Sequence, residues 1–298
     1  MCMAADRLPN FFLVGAPKCG TTALWQYLST HPSIFMGPLK EPHYFNFDHN
    51  YHWVSDRDAY EQLFAGAPLS TKVIGEGSVW YLYSNAAVPE ILRTVEDPRF
   101  VVMIRNPLDM FQSLHEQLIV SGRENIEDAE EAWAAQDRRG RGIDLPVHCM
   151  EPLHLQYRQV CSLGTQLERL LAAASPQRVH WVLFDDFARD ASTEYARVLA
   201  FLGLEDDGRK VFPRVNSAKG LRWRFLQRLT RAARKLKRAS GVRSSLGIVR
   251  LMKKSNIHFR SRAPLRPEFR SELARLFDDE IAKLEAITGR NLEAWRRP

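Results

Sequence analysis

The stretch FFLVGAPKCGTTALWQYL, residues 11–28, decides the fold because it changes from strand to helix across one glycine loop. The apolar run Asn10–Ala16, bounded by Pro9 and the loop, predicts a buried strand. Beyond the loop, apolar residues recur at helical spacing and predict a helix over Thr21–Ser29. A short apolar strand followed by a loop and a helix is typical of α/β proteins.

The loop has the G-x-x-x-x-G spacing of a phosphate-binding turn, from Gly15 to Gly20. Backbone N–H groups and the N-terminus of the following helix would face an anion there, and the hydroxyls of Thr21 and Thr22 add donors. Lys18 lies inside the loop, whereas the lysine of a Walker loop follows the second glycine. An ordinary strand–helix turn is the alternative, but the PKCGTT core between strand and helix favours a phosphate site.

Further strand and helix patterns alternate along the chain. Continuous apolar strands of this kind imply a parallel sheet covered on both faces. We therefore predict an α/β fold with a P-loop-type parallel β-sheet flanked by helices, forming a single domain over residues 1–298. The predicted strands are Lys72–Gly75, Phe100–Ile104 and Arg178–Phe184; the predicted helices are Pro89–Val95, Leu108–Val120, His154–Ala174, Ser192–Leu202 and Pro267–Gly289, with a surface helix and loop in Glu124–Arg141.

Composition excludes general disorder, because 45% of the 298 residues are hydrophobic. The formal charge of +7 is distributed unevenly: the segment 208–267 holds 19 basic residues and no acidic one. The rest of the chain holds the other 23 basic residues and all 35 acidic ones, which gives it a net charge of −12. Such asymmetry is typical of contact with phosphate, a polyanion or a membrane surface.

Residues 208–267 are predicted to form a basic, helical C-terminal part of the domain, in which Arg222–Arg238 has amphipathic helical spacing. A solvated lid, a wall of the acceptor site and a docking face for anionic lipid or a carrier protein all remain open. No pattern for reading nucleic acid is present, and no apolar run approaches the length of a membrane span. Oligomeric state cannot be deduced from these features.

The four cysteines, Cys2, Cys19, Cys149 and Cys161, lack zinc-finger or CxxC spacing. They indicate reduced thiols rather than a disulfide framework or a metal site. The apolar run near the N-terminus is too short for a signal peptide. These observations favour a cytoplasmic location.

PKCGTT followed by ALWQYLSTHP resembles the 5′-phosphosulfate loop of sulfotransferases that use 3′-phosphoadenylyl sulfate (PAPS). The stretch FVVMIRNPLDMFQSLHEQL resembles their second nucleotide element, with Arg105 and Ser113 in the positions that hold the 3′-phosphate. An arginine suits this role because guanidinium binds phosphate oxygens in pairs. The resemblance implies PAPS as sulfuryl donor without a metal. It assigns nucleotide binding to Lys18, Cys19, Gly20, Thr21, Thr22, Arg105 and Ser113, and to Lys219, Gly220 and Arg222 in a late closing loop.

The segment KEPHYF, residues 40–45, resembles the heparan-type and related bacterial sulfotransferases, in which the glutamate is the general base. This implies Glu41 as the base that takes the acceptor proton, with His115 as the rival. His43, Tyr44 and Trp80 are predicted to contact the acceptor. Gly77 stands where the heparan enzymes carry a second active-site lysine, which argues against their two-lysine mechanism.

The resemblance implies sulfuryl transfer to a hydroxyl or amine of a small molecule or carbohydrate, with Lys18 stabilising the leaving phosphate. A P-loop kinase is the first alternative, although Thr21 occupies the Walker lysine position. A non-enzymatic module that binds nucleotides or polyanions is the second alternative.

Overall fold

A five-stranded parallel sheet forms the centre of the computed structural model, which describes residues 8–213, 215 and 264–297 together with the backbone of 219–221 and 257–259. The strand order is β2-β3-β1-β4-β5. This confirms the predicted α/β class with a parallel sheet. The strands are β1 (Phe11–Gly15), β2 (Ile34–Met36), β3 (Val73–Glu76), β4 (Arg99–Ile104) and β5 (Val179–Leu183).

Helices connect the strands and flank the sheet. The chain moves to one side of β1 to form β2 and later to the other side to form β4 and β5. Because such crossovers are right-handed, helices cover both faces. The α-helices are α1 (Thr21–Leu28), α2 (Arg57–Gln62), α3 (Ala87–Thr94), α4 (Pro107–Ser121), α5 (Ala129–Ala134), α6 (Gln136–Gly140), α7 (Tyr157–Cys161), α8 (Leu163–Ala173), α9 (Phe184–Arg189), α10 (Ala191–Phe201), α11 (Pro267–Leu276) and α12 (Asp278–Thr288).

The core lies on the two central strands. Every residue of β1 is buried, and β4 pairs with it in parallel, Phe12 opposite Phe100. Helix α4 begins at Pro107, where the Asn106 side chain accepts a hydrogen bond from the Leu108 N–H, 2.9 Å away. Its apolar face is buried as its spacing predicts. Strand β4 and helix α4 therefore hold the turn between them, which carries Arg105, in a fixed position.

Two predicted helices are interrupted. The prediction of one helix over His154–Ala174 is wrong, because a 3₁₀ turn (Pro152–Leu155), α7 and α8 replace it. At the second break Ser162 Oγ donates to the Arg158 carbonyl at 2.8 Å, and Gln166 Nε2 donates to the Gln159 carbonyl at 2.9 Å. These side chains satisfy carbonyls that the break frees from the helix.

The predicted helix Pro267–Gly289 is likewise two helices, α11 and α12. Phe277 separates them and is fully buried, with its ring 5.8 Å from that of Trp133. Burial of this ring in the core favours the bend over a straight helix.

The stretch Glu124–Arg141 is only partly a surface element, which corrects the sequence-based prediction. Arg139 and Glu124 are 0% and 3% exposed and form a paired ionic contact, with guanidinium-to-carboxylate distances of 2.5 and 2.7 Å. Tyr157 Oη donates to the same carboxylate at 2.6 Å. A buried charge needs such partners because unpaired burial is strongly unfavourable.

Most of the basic segment 208–267, including the predicted helix Arg222–Arg238, lies outside the described residues. At its start, the Arg209 guanidinium lies 5.7–5.8 Å from the ring centres of Tyr27, Tyr195 and Phe212. Near its end, Arg266 pairs with Glu130, with Nε 2.7 Å from Oε1. Both ends of the segment are thus held against the domain. Among the described helices, none combines the length and apolar character needed to cross a membrane.

Candidate active site

The sheet topology brings three loops together at one edge. The chain leaves β1 in one direction and β4 in the other, so the crevice between the carboxyl ends of β1 and β4 is the switch point where parallel sheets bind ligands. The loop after β1 carries Lys18, and the loop after β4 carries Arg105. Strand β3 is the other neighbour of β1, and Glu41 N–H donates to the Gly77 carbonyl just beyond β3, at 2.9 Å.

The loop between β1 and α1 turns sharply at Gly20, the residue before the helix. Gly20 has φ +93°, and a Cβ atom there would lie 3.1 Å from Phe184 and 3.2 Å from Met103. Only glycine fits this turn without strain. Helix α1 begins at Thr21, and no side chain caps it. Its first N–H groups, including that of Thr22, lack acceptors within the helix and can bind an anion.

Cys19 is a packing residue of this loop. Its side chain is fully buried, with Sγ 3.8 Å from Met110 Sδ. Burial raises the pKa of the thiol to about 12, against the opposing charges of Arg105 and Lys18. Cys19 is therefore a neutral thiol, and its backbone N–H, which lies 3.3 Å from the Ala16 carbonyl, belongs to the turn itself.

Lys18 and Arg105 are linked directly. Arg105 Nη1 donates to the Lys18 carbonyl at 3.1 Å, and the guanidinium carbon lies 4.5 Å from the centre of the Phe184 ring. Lys18 has φ +67° and its Nζ donates to Gln117 Oε1 at 3.3 Å. A cation on an aromatic face has a defined orientation, so Phe184 and the Lys18 carbonyl position the guanidinium at the loop.

Helix α4 carries both Ser113 and His115, but they face different surroundings. Ser113 is buried one turn before Gln117, the residue that contacts Lys18. The His115 ring is 4% exposed, and its Nε2 lies 2.9 Å from the Ile126 carbonyl. One ring nitrogen of the buried His115 is thus engaged by the Ile126 backbone carbonyl.

Glu41 has the surroundings of an ionised, accessible carboxylate. Its side chain is 32% exposed, with Oε1 2.5 Å from Lys40 Nζ and Oε2 3.6 Å from His43 Nε2. Burial alone would raise the pKa of Glu41, but the contact with His43 and the charge of Lys40 outweigh it and lower that pKa to about 2. Glu41 is therefore ionised throughout the neutral pH range, which is the form that can accept a proton, although so low a pKa makes it a weak base.

The segment that carries Glu41 has an unusual backbone. Glu41 and His43 have φ of +66° and +53°, in the left-handed region that residues with side chains rarely adopt. Each such residue costs about 1–3 kcal/mol and persists only where surrounding contacts enforce it. Such positions are common at active sites, and here two of them fall within three residues.

Ser78 and Tyr81 hold this backbone in place. The His43 N–H donates to Ser78 Oγ at 3.0 Å, and the N–H groups of Tyr44 and Phe45 donate to Tyr81 Oη at 3.0 and 3.2 Å. Three consecutive N–H groups are thus fixed by two buried side chains. The sequence gives no local signal for these contacts, because they join residues about 35 positions apart.

Glu76 lies beneath the same segment. Its side chain is 2% exposed, and Tyr60 Oη donates to Oε2 at 3.1 Å. Burial raises the pKa of Glu76 to about 7, although the hydroxyls of Ser78, Tyr81 and Tyr60 act in the opposite direction. Glu76 therefore changes protonation near neutrality, in contrast to Glu41.

The three predicted acceptor-contacting residues differ in exposure. Tyr44 is half-buried, whereas His43 is fully buried and Trp80 is 5% exposed. Trp80 stacks on His154, with ring centres 3.5 Å apart and planes 9° apart. Burial lowers the pKa of His43, which keeps its ring neutral beside Glu41. His43 and Trp80 line the interior behind the Glu41 segment.

The late loop is described only in part. The backbone of Lys219 and Gly220 belongs to a short strand, β6 (Lys219–Leu221), which pairs antiparallel with β7 (Ile257–Phe259) and lies beside α4. Helix α4 also carries Ser113, one of the residues predicted to bind the 3′-phosphate. Arg222 lies outside the described residues.

Gly77, which replaces the second lysine of the heparan-type pattern, packs against an indole. A Cβ atom at this position would lie 3.1 Å from Trp25 Cδ1. Any side chain at residue 77 would require that ring to shift. The packing around residue 77 thus suits the glycine that this chain carries in place of the second lysine of the heparan-type pattern.

A sequence profile of the sulfotransferase family matches residues 9–208, which include the phosphate loop, the Glu41 segment and Arg105. The chain belongs to the sulfotransferase family. A solved sulfotransferase from Alicyclobacillus acidocaldarius superposes with a TM-score of 0.72 at 28% identity, covering 98% of this chain and all of that one. The α/β sulfotransferase fold is therefore confirmed.

Curated relatives match over smaller parts of their length. The membrane-associated sulfotransferase kil1 of Dictyostelium discoideum is 31% identical over 105 residues, which are 34% of this chain and 21% of that protein. The bifunctional heparan sulfate N-deacetylase/N-sulfotransferase 1 of Caenorhabditis briggsae is 23% identical over 239 residues, 76% of this chain and 26% of that protein. The chain thus spans about a quarter or less of the length of these relatives.

Within the described part of the chain, no three His, Cys, Asp or Glu side chains are arranged as metal ligands. The residues at the β3-β1-β4 edge include two cations, Lys18 and Arg105, a helix N-terminus, the accessible carboxylate of Glu41 and, beneath its segment, the buried carboxylate of Glu76.

Proposed function

We propose that this sulfotransferase moves a sulfuryl group from PAPS to a hydroxyl or amine of a small-molecule or carbohydrate acceptor. The observation that carries this proposal is the position of Lys18 and Arg105 around the N-terminus of α1, at the switch point of the sheet. Two fixed cations and unpaired helix N–H groups suit a nucleotide with separate 5′ and 3′ anionic groups.

The residues fit the two ends of such a nucleotide. Lys18 and the N–H groups from Gly20 to Thr22 would hold the 5′-phosphosulfate, while Arg105 and Ser113 would hold the 3′-phosphate. Lys219, Gly220 and Arg222 would close over the same phosphate. PAPS supplies the sulfuryl group on a phosphate leaving group.

Glu41 takes the proton from the hydroxyl or amine of the acceptor while the oxygen or nitrogen of that group attacks sulfur. The bond between sulfur and the 5′-phosphate oxygen breaks. The lysine charge and the α1 N–H groups stabilise the negative charge that develops on that oxygen. The products are the sulfated acceptor and 3′,5′-bisphosphoadenosine (PAP). His43 is neutral and lies beside this carboxylate, with Nε2 3.6 Å from Glu41 Oε2.

Calorimetry with PAP, ATP and a DNA duplex tests the proposal against its alternatives. We expect saturable PAP binding that Arg105→Met weakens about tenfold or more, since a charge-assisted bidentate contact is lost. Exposed Arg189→Met is the matched control, with unchanged affinity expected. ATP binding with no response to PAP would favour a kinase, and tight duplex binding alone would favour a polyanion-binding module.

The cytoplasmic location of the protein remains a prediction.

A further inference from the structure

A pocket lies on the side of the sheet where β1 and β4 begin, and it is also lined by Tyr44 and Phe45 from the segment that carries Glu41. Its cavity is about 260 Å³ and its lining includes Leu8, which precedes β1, and Thr94, the last residue of α3 before β4. Lys18 and Arg105 instead follow the carboxyl ends of β1 and β4. The pocket is thus separate from the proposed nucleotide site. Its volume lies just below the roughly 300–1,000 Å³ of typical small-molecule sites, which leaves space for a single ring.

An aromatic corner forms the floor of this pocket. The rings of Tyr44 and Tyr60 stack with centres 4.3 Å apart and planes 13° apart. Tyr60 is 1% exposed and Tyr44 is half-buried, so Tyr44 is the more accessible ring of the stack. Phe47 stands almost perpendicular to Tyr44, at 77° and 5.7 Å, and is 53% exposed. An exposed phenylalanine beside a stacked tyrosine offers apolar area that one flat ligand face can cover.

Two ion pairs form the polar walls. On α2, Arg57 Nε lies 2.7 Å from Glu61 Oε1; on α3, Arg93 Nη2 lies 2.6 Å from Glu90 Oε2. All four side chains line the cavity. The walls carry no net charge, and a charged ligand would have to compete with an existing pair. Neutral hydroxyl groups can add hydrogen bonds to both members without separating them.

We propose that this pocket binds one neutral hexopyranose ring. Such a ring has a face of C–H groups, which carry slight positive charge and suit the negative face of Tyr44. Its edge carries hydroxyls that can both donate to the carboxylates and accept from the guanidinium groups. Because Tyr44 is also one of the residues predicted to contact the acceptor, the inference rests in part on the proposed function, but binding of the ring itself requires no transfer step at Glu41.

The test measures binding of methyl glucopyranoside, methyl galactopyranoside and methyl mannopyranoside to the full chain. Saturation-transfer NMR and calorimetry report the binding. We expect saturable binding of at least one glycoside, with transfer strongest to protons on one ring face. Saturating PAP should not displace it. The double variant Glu90→Gln/Arg93→Gln should weaken binding about tenfold or more, because it removes charged hydrogen-bond partners. Phe47→Ser, which removes one aromatic ring from the pocket lining, should weaken glycoside binding as well.

Asp58→Asn is the matched control, because Asp58 is exposed on α2 but does not line the cavity. Its affinity should equal that of the unchanged chain. Four results would overturn the proposal: no glycoside binding to the unchanged chain, equal binding in the wall variants, displacement by PAP, or binding of phenol or glucuronate without any glycoside. PAP binding in the same samples reports on the proposed function separately. Finally, the affinity for a linear oligosaccharide of the preferred sugar is compared with the affinity for its monosaccharide. The comparison shows whether the pocket prefers a ring within a sugar chain or a free sugar.

Discussion

Glu41 combines two features that suit a base: an accessible carboxylate and a backbone conformation enforced from outside. Its pKa of about 2, held low by the contact with His43 and the charge of Lys40, keeps the carboxylate ionised near neutral pH but also makes it weakly basic. The hydrogen bonds of its segment to Ser78 and Tyr81 give the carboxylate a fixed direction. The proton-accepting group is therefore preorganised rather than assembled on binding.

Replacement of Glu41 by Gln should lower kcat for sulfuryl transfer by about 10²-fold or more, since general-base catalysis of this kind contributes 10²–10⁴-fold. PAP affinity should stay unchanged, because the proposed nucleotide contacts are Arg105 and the α1 N-terminus rather than Glu41. Calorimetry and steady-state kinetics measure the two quantities. Exposed Glu96→Gln is the control. Loss of PAP binding in Glu41→Gln would show that the residue is structural.

Glu76 predicts a pH dependence of stability. Its pKa is about 7 in the folded chain and 4.5 when unperturbed, so the folded state binds this proton more tightly. The resulting stabilisation is complete below about pH 4.5 and is lost as the pH rises through 7, a difference of roughly 3 kcal/mol.

Urea unfolding between pH 5 and pH 8 measures this effect. The free energy of unfolding should fall as pH rises over this range, and Glu76→Gln should flatten the dependence because Gln does not titrate. An identical pH slope in the two proteins would contradict the assigned burial of Glu76.

For single residues, the sequence identifies site candidates only where they belong to a short local motif. Lys18, Gly20 and Arg105 are recognisable because each follows a strand at a fixed spacing. Glu76 and Tyr81 carry no comparable signal, because their role arises from burial beneath a segment distant in sequence. The same applies to Gln117, which meets Lys18 across 99 residues.

Among the elements, the segment 41–45 depends on Tyr81 most directly. Tyr81→Phe removes the one hydroxyl that accepts the N–H groups of Tyr44 and Phe45. Each buried donor left unsatisfied costs about 1–3 kcal/mol. We expect kcat to fall while PAP affinity is retained, since the phosphate loop is not touched.

Tyr83→Phe is the matched control for this prediction. Tyr83 follows two residues later and donates to Gln159 Oε1 at 3.0 Å, without contact to the Glu41 segment. Its kcat should be close to that of the unchanged chain. Equal kcat losses in the two variants, or a parallel loss of PAP binding, would contradict a positioning role for Tyr81.

The buried pair of Glu124 and Arg139 joins α6 to the chain just beyond α4. Arg139→Met should destabilise the protein by about 3–5 kcal/mol, because it leaves an uncompensated buried carboxylate. Arg138→Met, at the adjacent exposed ion pair, should change stability by less than about 0.5 kcal/mol. Denaturant unfolding of both variants provides the comparison. Similar midpoints would contradict the burial of the pair.

Strand β1 and residues 100–104 of β4 are predictable because they are continuous apolar runs, and β5 is predictable because only His180 interrupts its apolar residues. Strand β2 has only three residues, Ile34–Met36, and pairs with β3 through register that no local pattern specifies. The breaks at Ser162 and Phe277 are missed for a related reason: side-chain hydrogen bonds and core packing override a continuous helical periodicity.

Over the whole molecule, charge is divided between an acidic domain and the basic segment 208–267. Arg209, among three aromatic rings, and Arg266, on Glu130, tie the two ends of that segment to the domain. Composition reveals the division of charge but not these anchors, because each joins residues far apart in sequence. The global charge of +7 alone therefore describes neither part.

Transfer of labelled sulfuryl from PAPS tests the central claim most directly. The full chain is incubated with PAPS labelled in the sulfuryl group and with phenolic, alcoholic, amine and carbohydrate acceptors. We expect one acceptor class to gain label with release of one PAP per label transferred. Lys18→Ala should lower kcat about 10²-fold or more, as loss of an oxyanion donor does. Label transfer at an unchanged rate in Lys18→Ala, or PAP binding with no transfer to any acceptor class, would contradict the claim.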